Sequence, residues 1–146
     1  MDMKRLAIGT LVGVVTMHIV GYLMFDLATV SFYNANDAAA ATFNREVNLQ
    51  WSIGLGNLAL AALLALCLTN RAGPSTIAGG LLTGAVVGFL VWFGVDFTFY
   101  GYQSRWSLTL IFVDPLLGAI QMGIGGAVLA AVLARVTGGA SMRPAE

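Results

Sequence analysis

Asp96 and Asp114 are the residues of this sequence best suited to chemistry. Both belong to the stretch GVDFTFYGYQSRWSLTLIFVDPLLGAIQ, Gly94 to Gln121, and stand inside or against apolar sequence with Arg105 in the aromatic turn between them. An ionised Asp at the centre of a membrane span costs about 2.5–3.5 kcal/mol, so intramembrane acids mark ion, proton or ligand sites by default. Asp114 carries the stronger expectation because it falls well inside its span. It must be protonated, paired or hydrated there, and Arg105, His18 or a bound cation are the partners to expect. Asp96 and Asp26 fall near span ends, where headgroup depth makes a structural acid cheap.

Further polar groups recur at helical spacing. His18, Tyr22 and Asp26 follow one another at four-residue steps; Gln50, Gly54 and Asn57 share a face, as do Trp92, Asp96 and Tyr100, and Asp114, Gly118 and Gln121. His18, Asp96 and Asp114 together have the donor types that zinc, iron or manganese accept, although no metal-binding spacing links them. A bis-histidine haem would need a second chain, since His18 is the only histidine. Nucleophilic catalysis has no signature in Gly-x-Ser-x-Gly or a phosphate-cradling loop. Cys67 is the single cysteine, in LALAALLALCLTN, and reads as a small apolar residue.

The elements that position these residues are membrane helices. Of 146 residues, 58% are hydrophobic and 10% charged, with a mean hydropathy of +0.84; a soluble domain has roughly 25% charged residues. The formal net charge of zero gives no electrostatic case for nucleic acid. The pattern predicts an all-α, polytopic membrane protein, a single domain over 1–146 with four spans at about 6–25, 51–68, 76–99 and 106–136. The first apolar run, Leu6 to Phe25, exceeds the length of a signal-peptide core and reads as a retained helix. A short interfacial helix is expected within 37–49, and Trp51 suits an interface anchor. With both termini in the cytoplasm, Lys4, Arg5, Arg71, Arg135 and Arg143 lie inside and only Arg45 and Arg105 outside, which favours that orientation. The polar groups then gather in the outer half of the spans. Asp114 lies about 12 Å below Trp106 at 1.5 Å per residue. An outward-opening pocket lined by Asp114, Asp96, His18, Asn57, Gln121, Tyr22, Tyr100 and Arg105 is the expected site.

Small residues supply the means of packing. Gly9 and Gly13 on the first span, Gly80, Gly84 and Gly88 on the third, and Gly123 with Ala119 and Ala127 on the fourth stand at four-residue spacing. In lipid, such residues let helices approach closely. Their spacing is equally compatible with packing inside one chain and with self-association.

The C-terminal third resembles a family of small bacterial four-span inner-membrane proteins catalogued as a domain of unknown function. The likeness rests on Asp96, Thr98, Trp106, Val113-Asp114 and Gly118, and on the pair Phe32-Tyr33 after the first span. This chain departs from that pattern at Phe99, where the family tends to Asn, and at Ser107, where it tends to Pro. It also has His18 and Gly21 in place of an Asp-containing motif. The resemblance implies four spans, a bacterial inner membrane and a shared Asp/Trp/Asp constellation, and it supplies no activity.

Three classes of function fit these residues. The first is an accessory or assembly subunit, or a self-associating bundle, with the lipid bilayer and other membrane subunits or itself as partners. The second is a small transporter or binding protein for a cation, proton or polar solute at the acidic pocket. The third is a metal- or haem-associated membrane protein using His18.

Overall fold

The computed structural model describes residues 2–39, 44–70 and 76–138, and their regular elements are helices. Helix α1 (Met3–Gly21) starts at Asp2, whose Oδ1 accepts from the amides of Lys4 and Arg5 at 3.0 and 3.1 Å. It runs on directly as a π-helical segment, Tyr22–Ala28. A short helix α2 (Val30–Asn36) follows Thr29. The remaining helices are α3 (Gln50–Thr69), α4 (Ile77–Tyr102) and α5 (Leu108–Gly138). Thr76 caps α4 by accepting from Gly79 at 3.0 Å, and Ser107 caps α5 by accepting from Leu110 at 3.1 Å. Such side-chain oxygens satisfy amides that the first helical turn leaves unpaired.

Four segments are long and apolar enough to cross a bilayer: Met3–Ala28, Gln50–Thr69, Ile77–Tyr102 and Leu108–Val136. The protein is an integral membrane four-helix bundle. The first span extends three residues beyond each end of its expected range, because the π segment carries the helix past Phe25. The short helix stands earlier than expected. Residues 37–39 and 44–49 are not helical, and 40–43 lie outside the described residues. Asp37 is instead drawn into a bridge with Trp106.

Helix α5 is the centre of the bundle: half of its apolar window is buried, against 17% for α4. Helix α1 packs between α3 and α5, and α4 packs on another face of α5 while meeting α3 only marginally. Met17, Ala61, Leu64, Ala65, Leu68, Met122, Leu129 and Leu133 form the apolar core of α1, α3 and α5. That core fills the half of the bundle nearest Met3. Toward Tyr102 and Leu108 it stops at Met17 and Met122, the neighbours of His18 and Gln121.

The glycines hold the helices in register. A Cβ on Gly80, Gly84 or Gly88 would collide with the carbonyl of Gly126, Met122 or Gly118. Helix α4 therefore lies with its backbone directly on α5. On α1, Gly9 faces Ala65 and Leu133, and Gly13 faces Ala61 and Leu129, at 2.9–3.8 Å from a built Cβ. Gly123 has only ordinary contacts, to Leu81 and Ala85. The tight face of α5 is Gly118, Met122 and Gly126 rather than the Ala119–Gly123–Ala127 series. All these small faces are used inside the chain.

Candidate functional site

The half of the bundle beyond that apolar cluster contains a cavity of about 440 Å³, and all four spans line it. From α1 and its π extension come His18, Gly21, Tyr22, Phe25 and Asp26. Four residues overshoot one turn of α-helix and fall short of one turn of π-helix. The drift from His18 to Tyr22 is thus undone by Asp26, and the three stay on one line. Helix α3 contributes Gln50 and Asn57, α4 contributes Trp92, and α5 contributes Asp114 and Gln121. Among these described residues no Lys or Arg lines the cavity.

Two amides mark the cavity floor. Gln121 is buried and donates from Nε2 to the carbonyl of Met17 at 2.9 Å. It fits because Gly21 has no side chain: a Cβ there would come within 2.6 Å of that nitrogen. Asn57 Nδ2 lies 3.4 Å from His18 Nδ1. At the opposite rim, Asn48 donates to Asp26 at 2.6 Å and ties the approach to α3 onto the end of the first span.

A second cavity of about 240 Å³ adjoins the first, and Asp114 and Trp92 line both. The Trp92 ring occupies the space where a Gly118 side chain would stand, and its buried Nε1–H has no acceptor among the described residues. Asp96, one turn further along α4, faces Asp114 across this smaller space. Its Oδ2 is buried and unpartnered. Tyr33, from α2, donates its hydroxyl hydrogen to Asp114 Oδ1.

Tyr33 is brought there by a latch. Arg105 Nε donates to both carboxylate oxygens of Asp37 at 2.7 and 2.9 Å, and its NH2 group also reaches Asn44 Oδ1 at 2.9 Å. Ser107 donates to Asn36 Oδ1 at 2.7 Å, and backbone bonds run from Ala38 to Arg105 and from Ser107 to Asn36. The Arg105 guanidinium holds the Asp37 carboxyl below its ordinary value of 3.8. Burial, and next the Asp114 carboxylate, push the Tyr33 phenol above its ordinary value of 10.0.

The expected site residues divide accordingly. Asp114, His18, Asn57, Gln121 and Tyr22 meet at the large cavity, and Asp96 joins Asp114 at the small one. Arg105 borders the small cavity but pairs with Asp37 rather than Asp114. Tyr100 is exposed and lines neither. In the register of Gly80 with Gly126 and Gly88 with Gly118, Tyr100 lies level with Trp106, before α5 begins. His18, Asp96 and Asp114 do not form a ligand set: no group of three His, Cys, Asp or Glu converges among the described residues. The pairing of Asp37 with Arg105, Asn48 and the role of Tyr33 escaped the sequence reading. Tyr33 stands 81 positions from its partner, beyond the reach of any spacing rule.

These observations define a polytopic helical membrane protein with an acidic, aromatic-walled cavity in one half of its bundle. No protein-family model matches the chain, and neither a curated protein nor a solved structure matches it.

Proposed function

We propose that the protein binds a small organic cation within the membrane, held between the Asp114 carboxylate and the aromatic rings of the large cavity. The observation that carries this reading is the lining itself. Asp114 and Asp26 supply negative charge, Tyr22, Phe25 and Trp92 supply aromatic rings, and no Lys or Arg opposes them among the described residues. Ring faces attract ammonium groups, more strongly where water is excluded. The volume of about 440 Å³ falls in the range of small-molecule sites. The Lys and Arg distribution supports a cavity open to the side opposite the cytoplasm, and the family resemblance supports a bacterial inner membrane.

Calorimetry of the protein in lipid nanodiscs, with tetraethylammonium as the probe, tests this reading. Saturable binding to the wild type that is lost in Asp114→Asn is expected. Equal binding by both would sink it.

An accessory or assembly subunit is the second reading. It is supported by α4, whose residues Leu82, Leu90 and Phe93 are exposed on a helix that leans chiefly on α5. Lipid satisfies such a surface equally well, so the cavity carries more weight. Native mass spectrometry of gently extracted protein separates the two: a larger hetero-complex favours the subunit.

A further inference from the structure

Among the described residues Asp96 is the most deeply covered acid, 3% exposed, and its Oδ2 accepts from nothing in the protein. It shares the small cavity with Asp114, the other acid within the spans that lines it. Two ionised carboxylates have no hydrogen to share and repel strongly away from water. Arg105, the cation on the same cavity, is engaged with Asp37 and Asn44. What remains to hold two such acids together is a proton, as in other carboxyl dyads.

We infer that Asp96 and Asp114 form a one-proton pair, Asp96 carrying the proton and Asp114 the charge, and that a second proton on Asp114 displaces the bound cation. The first half stands on the shared cavity and on the buried, unpartnered Oδ2 of Asp96. The second half rests on the cation-binding reading above.

The assignment within the pair follows from the surroundings. Asp114 receives the Tyr33 hydroxyl at Oδ1 and borders both cavities, so its charge has a donor and access to solvent. Asp96 has neither. Other ionisable groups bear on the pair from each neighbouring element. His18, Tyr22 and Asp26 stand on the first span, across the large cavity. Tyr33 comes from α2, and the Asp37–Arg105 pair closes the small cavity. From α3 only the amides of Gln50 and Asn57 and apolar groups line the space. With one proton on the pair, the site offers a single negative charge to a single positive one. Adding a proton to Asp114 leaves a neutral pair and no counter-charge, so cation leaves as proton enters.

Infrared spectroscopy of the protein in nanodiscs tests the first half without any ligand. A carboxylic-acid carbonyl band is expected at neutral pH, shifting in deuterated water and absent in Asp96→Asn. If the wild type lacks that band, or the band survives in Asp96→Asn and vanishes in Asp114→Asn, the pair as assigned is overturned.

Calorimetry with tetraethylammonium tests the second half. Asp96→Asn places an amide donor where the acid O–H stood and is expected to keep binding. Wild-type affinity is expected to fall by about tenfold per pH unit once Asp114 protonates. Loss of binding in Asp96→Asn with an unchanged melting curve overturns the inference, as does affinity that ignores pH. The band with no tetraethylammonium binding to the wild type leaves the proton pair standing, and overturns the exchange together with the cation reading.

Discussion

Tyr33 gives its hydroxyl hydrogen to Oδ1 of Asp114, so a residue outside the four spans closes the site that lies within them. Removing that donor tests how far the site depends on α2. Hydrogen bonds to charged groups contribute about 1.5–3 kcal/mol. Tyr33→Phe is expected to destabilise the protein by about that amount, and to speed amide exchange across Val30–Asn36. Chemical unfolding in detergent and hydrogen-exchange mass spectrometry read the two effects; wild-type values in both would show the bond to be idle.

The same tyrosine sets an alkaline limit. Its value is raised above 10.0 in the folded protein by burial and by Asp114. Its contribution to stability is therefore complete below pH 10.0 and lost as the pH rises from there toward the raised value. An ultraviolet titration of the folded protein should show one tyrosine fewer ionising than the unfolded chain, and Tyr33→Phe should remove that difference.

The latch of α2 should respond to acid instead. Asp37 is held below 3.8 by Arg105, so its contribution is present above pH 3.8 and lost as the pH falls through the lowered value of the folded state. Arg105→Lys replaces a planar two-nitrogen fork with a point charge. Exchange at residues 30–39 is expected to rise in this variant at neutral pH, with α4 and α5 still protected. No change would mean that the backbone bonds to Arg105 and Ser107 suffice.

Two glycines of α4 should behave oppositely. Gly84→Ala drives a methyl into the Met122 carbonyl and forces α4 off α5; overpacking of this kind costs about 1–3 kcal/mol. A Cβ on Gly94 meets nothing within 4 Å. Gly94→Ala is expected to be neutral or stabilising by up to about 1 kcal/mol, the helix preference of Ala over Gly. Thermal melts of the two variants side by side decide the matter, and equal melts would refute the close backbone contact.

Gln121→Leu separates structure from binding. It removes the bond to Met17 and is expected to cost about 0.5–1.5 kcal/mol. Tetraethylammonium affinity is expected to persist, because Asp114 and the rings remain. A lost affinity would make Gln121 part of the binding surface.

The sequence alone was enough to establish four membrane helices, because the length and apolar content of a span are local properties that lipid imposes residue by residue. It also placed His18, Tyr22, Asn57, Asp114 and Gln121 in the same half of the spans, since helical rise converts position directly into height. Tertiary structure decided what those heights could not. The glycines at 80, 84 and 88 were legible as packing residues, but only the register shows them spent on α5, leaving Tyr100 beyond its end. Asp114 was expected to meet Arg105, His18 or a bound cation; Arg105 turned to Asp37, and Tyr33 donates to Asp114. Which side chain meets a buried acid depends on the rotation of each helix and on how a connecting segment folds back. Contacts across 81 residues set both, and no local pattern encodes them.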